Sequence, residues 1–499
     1  MDYIMALAIL GIALILISKR SKDSLHMVQL EEYNSDNYKK WVQNNKERAY
    51  SFEKNTYPVK KPLVFTQRAT RLYTANIVIS GLLILLPILM YVIFDQLLIF
   101  IPILLVAFLV YRYQPDTMLL SNMLMVPVER SINQGFYDSA QKKIKTREDL
   151  KVVGITGSFG KTSTKFIIGT ILQEKYNVLN TPESYNTPMG LSKVINNELN
   201  NEHEVFVAEM GAREIGEIKE VAELCQPNIG IITSIGPVHI ETFKNIDNIM
   251  KTKYELIEEL PADGVAIFNY DNEHLKKLAD KTFKEKLLYG LEDIENLDIY
   301  ADDIVVSELG STFTLRDKKG NSISCTTKLL GKHNIYNILA GACAAISLGM
   351  TFEEISKGIS KIEPIPHRLN IIDSGTGVIV IDDAFNSNPI GTKAALDVIS
   401  QFKEGRKIIV TPGMVELGAM EEEANKEFGV NIGKVCDYAI LVGEKRTKPI
   451  YEGLMEANFN PANIFIVNNL DEATGELGKI TRPKDVVLFE NDLPDNYNE

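Results

Sequence analysis

Cysteine is scarce in this chain. Its 499 residues include four, Cys225, Cys325, Cys343 and Cys436, all far apart. No Cys-x-x-Cys pair exists, which excludes zinc-ribbon spacing and a disulfide framework. The cysteines read as small apolar residues in a reducing compartment. Excess positive charge is also lacking: 53 Lys and Arg stand against 66 Asp and Glu, a net charge of −13. That excludes a strongly basic nucleic-acid binder. There is no internal repeat and no low-complexity tract. A hydrophobic content of 45% and a charged content of 24% exclude a collagen or a mostly disordered chain. The length allows about three domains.

The average hides an uneven distribution. Residues 1–113 carry a net charge of +5 and the remainder −18. Three apolar runs lie in the first part, at about 3–18, 74–94 and 97–111, with Pro87 and Pro102 inside the last two. They predict three membrane spans. Lys19, Arg20 and Lys22 follow the first run rather than precede it, as an uncleaved anchor would have them. The loop 19–73 is basic, so it is expected on the cytoplasmic side, with the N-terminus outside. The expected location is the cell (inner) membrane, multi-pass, with the catalytic domains cytoplasmic. Residues 114–149 read as an amphipathic connector, a helix interrupted at Pro127.

From residue 150 the pattern changes to short apolar strands alternating with helices: KVVGIT, EVFVAEM, NIGIITSI, VIVIDD, KIIVTPG and YAILVG are strand-like. This is an α/β organisation with parallel sheets. Residues 298–328 alternate with period two and predict a small β-rich insertion. Between the first strand and the next helix lies a glycine-rich turn: Thr156, Gly157, Ser158, Phe159, Gly160, Lys161, Thr162, Ser163, Thr164. Glycines let backbone N–H groups turn toward phosphate oxygens, Lys161 can reach the β/γ-phosphates, and the Thr162 hydroxyl can bind Mg²⁺. The eight-residue phosphate-loop pattern is shortened, because position 155 is Ile and the first glycine is Gly157. The strand–loop–helix context still predicts nucleotide binding.

The segment TGSFGKTST resembles the ATP loop of the Mur ligases, the ATP-dependent amide ligases of peptidoglycan assembly. Further segments agree in order: YNTPMGL (185–191), EMGAREIGEI (209–218), TSIGPVHIETF (233–243), KTKYELIEELP (251–261), GKHNIYNILAG (331–341), HRLNII (367–372), IDDAFNSNP (381–389) and TPGMVELG (411–418). The branch that adds D-alanyl-D-alanine, MurF-like, is most similar. The resemblance implies a central ATP-binding domain at 150–364 and a Rossmann-like C-terminal domain at 365–499. It also implies ATP and Mg²⁺ as cofactors and a cell-wall precursor, nucleotide- or lipid-linked, as acceptor. The other substrate would be an amino acid or dipeptide amine, joined through an acyl phosphate.

The resemblance further implies roles for single residues. Thr162 and Glu209 would hold one Mg²⁺, and His239 a second. Lys253, with Lys251 as a neighbouring competitor, aligns with a lysine that is carbamylated in the family. Thr156, Gly157, Ser158, Gly160, Lys161, Thr162 and Ser163 would cradle phosphates. Asn334 and Asn337, three apart on one helical face, would lie against the base or cap a helix. Arg368, Asp382 and Asp383 would reach phosphate or ribose. Tyr185, Asn186 and Thr187 would face the acceptor, and Asn386 and Asn388 would shape the closed site.

Two departures stand out. Membrane runs and a connector occupy the place of the family's N-terminal nucleotide-carrier domain. The last strand ends in Glu490-Asn491-Asp492 where D-alanyl-D-alanine ligases carry a basic Lys-Gly-Ser-Arg-like segment. Two other readings stay open: a poly-amino-acid or folate-type ligase on the same core, and an ATP-binding membrane scaffold for cell-wall enzymes.

Overall fold

The computed structural model describes residues 2–51, 62–94, 100–182, 185–238, 240–307, 310–373, 375–384, 387–415 and 417–492. These fall into two compact units, one within Met1–Gly135 and one within Phe136–Leu493.

The first unit is helical. Its longer helices are Asp2–Leu30, Gln67–Phe94 and Phe100–Arg112, together with the start of Gln114–Lys145. Ala13, Ile17, Ile84, Ile88, Ile103, Ala107 and Val110 form one small core, while Ile12, Leu16, Leu82, Leu86, Leu104 and Phe108 point outward. A second core gathers Leu25, Val28, Tyr38, Leu72 and Met118. Buried amides join the helices: Asn76 donates to Gln114 at 2.9 Å, and Ser121 donates to Asn76 at 3.2 Å.

The expected three spans are corrected here. Among the described residues one helix, Gln67–Leu89, is long and apolar enough to cross a membrane. A second candidate arises only if Pro102–Arg112 and Gln114–Lys145, bent by 76° at their junction, count together. The first apolar run does not end a helix at its charges. Asp2–Leu30 runs on through Lys19, Arg20, Lys22 and Asp23 and buries Ser21, Ser24, Leu25 and Val28. Of the third run, the described part is the helix Phe100–Arg112, which leads directly into Gln114–Lys145. The multi-pass membrane location that rested on three spans is therefore overturned. The expected interruption at Pro127 is absent too, because Gln114–Lys145 continues through it.

The second unit contains two sheets. The larger has nine strands: β1 (Lys151–Thr156), β2 (Val178–Asn180), β3 (Val205–Glu209), β4 (Ile229–Ile232), β5 (Val265–Asn269), β6 (Glu285–Gly290), β7 (Ile299–Ser307), β8 (Gly310–Asp317) and β9 (Ser322–Thr327). Their order is β2-β3-β1-β4-β5-β6-β7-β8-β9. The first seven positions are parallel, and β7, β8 and β9 pair antiparallel. The period-two segment thus forms the expected β-rich stretch, and its three antiparallel strands extend the main sheet.

Helices cover both faces, which is why strands such as KVVGIT and VFVAE are apolar throughout. Val153, Ile155, Val205 and Val207 meet the helices Lys161–Leu172 and Lys332–Ser347. Val152, Phe206, Ala208 and Ile232 meet Leu256 and Ile257 of the helix Ile246–Glu258 on the other face. Each fully buried Ile, Leu or Phe contributes roughly 1.5–3 kcal/mol. Lys161–Leu172 buries Thr164, Lys165, Ile167, Ile168, Gly169, Ile171 and Leu172, so it is enclosed on more than one face.

The second sheet has six strands: β10 (Asn370–Asp373), β11 (Ile379–Asp383), β12 (Lys407–Thr411), β13 (Tyr438–Val442), β14 (Ile464–Val467) and β15 (Val486–Glu490). Their order is β10-β11-β15-β12-β13-β14, parallel except for β10. Several parallel strands end at polar residues, Thr156, Asn180, Glu209 and Asn269 in the first sheet and Asp383, Thr411 and Glu490 in the second. The carboxyl ends of such strands are where α/β sheets present ligand-binding groups.

Candidate functional site

The site begins at the carboxyl ends of β3, β1 and β4. These strands are neighbours in the register Ile155↔Glu209 and Thr156↔Ile232. Glu209, the glycine turn and the loop Thr233–Gly236 therefore converge. The turn is fixed by short hydroxyl side chains. Ser158 N and Phe159 N donate to Ser234, at 2.8 Å to its carbonyl and 2.9 Å to its hydroxyl. The Ser158 hydroxyl donates to Gly236 O at 2.9 Å and accepts from Gly236 N at 3.0 Å. Thr233 donates to Phe159 O. Gly157 has φ 152°, and a Cβ there would lie 2.1 Å from the Thr233 hydroxyl. Gly160 caps the following helix at φ 80°, and a Cβ there would lie 2.8 Å from Asn337 Oδ1. Both positions require glycine.

Lys161 opens the helix and folds over the turn, donating from Nζ to Gly157 O at 2.8 Å. Desolvation holds its ammonium below the ordinary lysine value, Glu209 opposes this, and Arg368 adds to it. Glu209 is buried at 1% exposure. Asn186 donates to its Oε1 at 3.0 Å, and Lys165 Nζ lies 3.3 Å from its Oε2. That oxygen and the Thr156 hydroxyl have no hydrogen-bond partner.

A Mg²⁺ ion fits this donor set. Hydroxyl and carboxylate oxygens are hard ligands, and Mg²⁺ commonly takes one or two carboxylates plus phosphate oxygens and water. Thr162 and Glu209 are the residues of that kind at the turn. Among the described residues no cluster of three or more His, Cys, Asp or Glu forms a closed cage. His239 and Asn386 lie outside the described residues.

Lys253, on the helix Ile246–Glu258, is 2% exposed, with Nζ 5.8 Å from the centre of the Phe243 ring. Burial, reinforced by Lys161, lowers its pKa to about 7, against the pull of Glu217 and Glu255. The nearby carboxylates are engaged with backbone. Glu255 accepts from Gly216 N at 2.8 Å and Lys219 N at 3.0 Å, and Glu217 accepts from Arg213 N at 2.6 Å. The competitor Lys251 is exposed.

Other expected contacts take internal roles. Asn337 accepts from Thr164 at 3.1 Å and donates to Asn334 at 3.3 Å, while Asn334 donates to Leu330 O at 2.9 Å. The pair ties the helix Lys332–Ser347 to the phosphate-loop helix. Thr187 caps the helix Pro188–Asn197, accepting from Gly190 N at 3.2 Å. Asn388 caps Pro389–Ser400, accepting from Gly391 N at 2.8 Å. Each such cap is worth about 1 kcal/mol. Tyr185 is exposed beside Asn186.

Arg368 sits between two residues with left-handed backbone, His367 at φ 60° and Leu369 at φ 46°. Desolvation lowers its pKa, against the attraction of Asp383, Glu209 and Glu490. Arg368 thus shares the electrostatic neighbourhood of Glu209 and Lys161. Asp382 accepts from Ala384 N at 3.1 Å and meets His367 Nδ1 at 2.7 Å. Asp383 accepts from Leu369 N at 3.2 Å and pairs in register with Glu490 across β11 and β15. Glu490 is 1% exposed and accepts from Ser387 at 2.8 Å. Burial raises Asp383 to about 6, against the pull of Arg368 and hydrogen bonds from Leu369 and Glu490. Burial together with the charge of Asp383 raises Glu490 well above the usual glutamate value. Neither Lys165 nor the Glu490 contact was expected from sequence. A lysine inside the apolar run KFIIGTIL was the available signal for the first.

Residues 155–345 match the Mur ligase middle domain and residues 367–490 the Mur ligase glutamate ligase domain. The UDP-N-acetylmuramoyl-tripeptide–D-alanyl-D-alanine ligase of Bacillus subtilis is 34% identical over 283 residues, 56% of this chain and 60% of the relative. The ligase of that name from Escherichia coli is 32% identical, covering 56% and 61%. The chain thus spans about three fifths of the length of these relatives. MurF from Thermotoga maritima, solved in complex with ADP, superposes with a TM-score of 0.65 at 25% identity, covering 72% of this chain and 80% of that one. MurF from Acinetobacter baumannii gives 0.65 at 26% identity, covering 72% and 77%. By these matches, residues 155–490 carry the middle and C-terminal domains of the Mur ligase family and are MurF-like.

Proposed function

We propose that the protein is an ATP-dependent amide-bond ligase of peptidoglycan precursor synthesis, using Mg²⁺. The observation that carries this is the convergence of Lys161, Glu209, Lys253 and Arg368 around a turn whose two glycines leave no room for side chains. The named activity of the relatives supports a muramoyl-tripeptide as acceptor and D-alanyl-D-alanine as amine.

In this reading the turn's backbone N–H groups, Lys161 and Arg368 hold the triphosphate. Thr162 and Glu209 would hold Mg²⁺, which neutralises phosphate charge when bound. The acceptor carboxylate attacks the γ-phosphorus, forming an acyl phosphate and releasing ADP. The amine then attacks the acyl carbon, giving the amide, inorganic phosphate and a proton. Tyr185 and Asn186 lie on the acceptor side of Glu209, and Asp382 and Asp383 serve the ribose. Lys253 is the site of carbamylation: its neutral amine adds to CO₂, yielding a carbamate and a proton. Burial supports this, because it keeps a neutral fraction near neutral pH.

The test is phosphate release from ATP and Mg²⁺ by the purified chain. It should require both UDP-N-acetylmuramoyl-tripeptide and D-alanyl-D-alanine, and mass spectrometry should show the condensed product. Lipid-linked tripeptide and alternative amines form parallel arms that identify the carrier and the amine. The absence of amine-dependent turnover in every arm refutes the ligase reading.

A further inference from the structure

Glu209 is gripped from two sides by elements that the reaction scheme leaves without a joint role. Lys165 is one helical turn beyond Lys161 on the phosphate-loop helix, at full burial. Its Nζ lies 3.3 Å from Glu209 Oε2, with the two side chains 0% and 1% exposed. The same ammonium lies 4.5 Å from the Phe166 ring centre. Asn186 holds the other carboxylate oxygen at 3.0 Å. It is itself anchored, because Gly211 N donates to its backbone carbonyl at 2.9 Å. A Cβ on Gly211 would lie 2.7 Å from the Asn186 side chain, so the strand end and the loop are in direct contact.

A buried carboxylate left without a partner would turn toward another rotamer to find one. Lys165 is the basic side chain that the fold places against it, in a fully enclosed position. It belongs to the helix that also begins the phosphate loop, so carboxylate and loop are aligned by one rigid element.

We propose that Lys165 is a positioning residue that holds the Glu209 carboxylate in place and aimed at the metal site, with Asn186 fixing the second oxygen. Lys165 touches neither nucleotide nor acceptor in this scheme. Its effect passes through Glu209, as an outer partner orients a metal-ligating group. The proposal rests on the metal role assigned to Glu209 above.

The test measures Mn²⁺ binding by electron paramagnetic resonance, on the full chain with a non-hydrolysable ATP analogue. Lys165→Met should weaken Mn²⁺ binding by about 10–100-fold, the usual cost of losing an outer-shell partner. Affinity for the analogue without metal should stay at the parent value, which a collapsed site would not allow. Lys165→Arg should restore most of the loss. In a Glu209→Gln background Lys165→Met should add nothing. Unchanged or tighter Mn²⁺ binding in Lys165→Met, with Glu209→Gln weakened, overturns the proposal alone. Parent-like Mn²⁺ binding in Glu209→Gln overturns the metal role of Glu209 and this inference with it. If Lys165→Met does not fold, Lys165→Gln takes its place under the same criteria.

Discussion

Replacing Lys253 by methionine isolates the cost of an ammonium group held at 2% exposure. Methionine keeps most of the side-chain length and removes the charge. The pKa of Lys253 falls from 10.5 to about 7, chiefly by burial. At about 1.4 kcal/mol per unit, this corresponds to roughly 2–5 kcal/mol once partial hydration of the charge is allowed for. The sign follows from proton counts. Between about pH 7 and 10.5 the unfolded chain binds a proton at Lys253 that the folded chain does not, so this group makes stability rise with pH. Below about pH 7 both states are protonated and the full cost is present. Above about 10.5 both are neutral and the cost is gone. Lys253→Met should therefore be more stable than the parent at about pH 6, with the gap closing by about pH 10. Thermal melts of both proteins in bicarbonate-free buffer read this directly, and other titrating groups cancel in the difference. A difference independent of pH, or a variant less stable at about pH 6, refutes the reasoning. Adding bicarbonate should narrow the gap, because a carbamate is no longer an ammonium.

Lys161→Ala should reduce ATP turnover by roughly 100–1000-fold, the usual cost of removing a charge-stabilising group, with melting temperature near the parent value. Steady-state kinetics and a melt check the two parts. Gly160→Ala should lower stability by about 1–2 kcal/mol and weaken nucleotide binding, because φ is 80° and the new methyl meets Asn337. Denaturant unfolding and nucleotide titration measure these. Glu490→Gln should stabilise the chain at about pH 8 and have little effect at about pH 4. Burial raises Glu490 well above the usual glutamate value, so at the higher pH folding works against a carboxyl that the unfolded chain has already ionised, whereas at about pH 4 both states are largely protonated. Melts at the two pH values decide it.

The sequence made the phosphate loop plain because its information is local: a strand, two glycines, a lysine and a helix within one short stretch. The parallel strands were legible for the same reason, each being a short apolar run. Long-range pairings were not legible. Glu490 looked like a departure from a basic motif at the chain's end. Its position against Asp383 depends on β15 inserting between β11 and β12. Thr233 and Ser234 stood inside a recognised segment, yet only its histidine was singled out, because no local pattern says that their hydroxyls hold another loop. Asn334 and Asn337 were correctly placed on one helical face, but which neighbour that face meets is a tertiary fact. Of the three expected spans, among the described residues one helix, Gln67–Leu89, is long and apolar enough to cross a membrane, because an apolar run in sequence does not fix the length or the bends of the helix it enters.

The hydroxyls of Ser158, Thr233 and Ser234 stitch the glycine turn to the end of β4. A loop closed in this way has met its ordering entropy during folding, so a nucleotide encounters a finished mould. Discrimination at this point is then a matter of shape more than of adjustment. A triphosphate with the wrong curvature then meets a turn whose backbone is already tied to the end of β4.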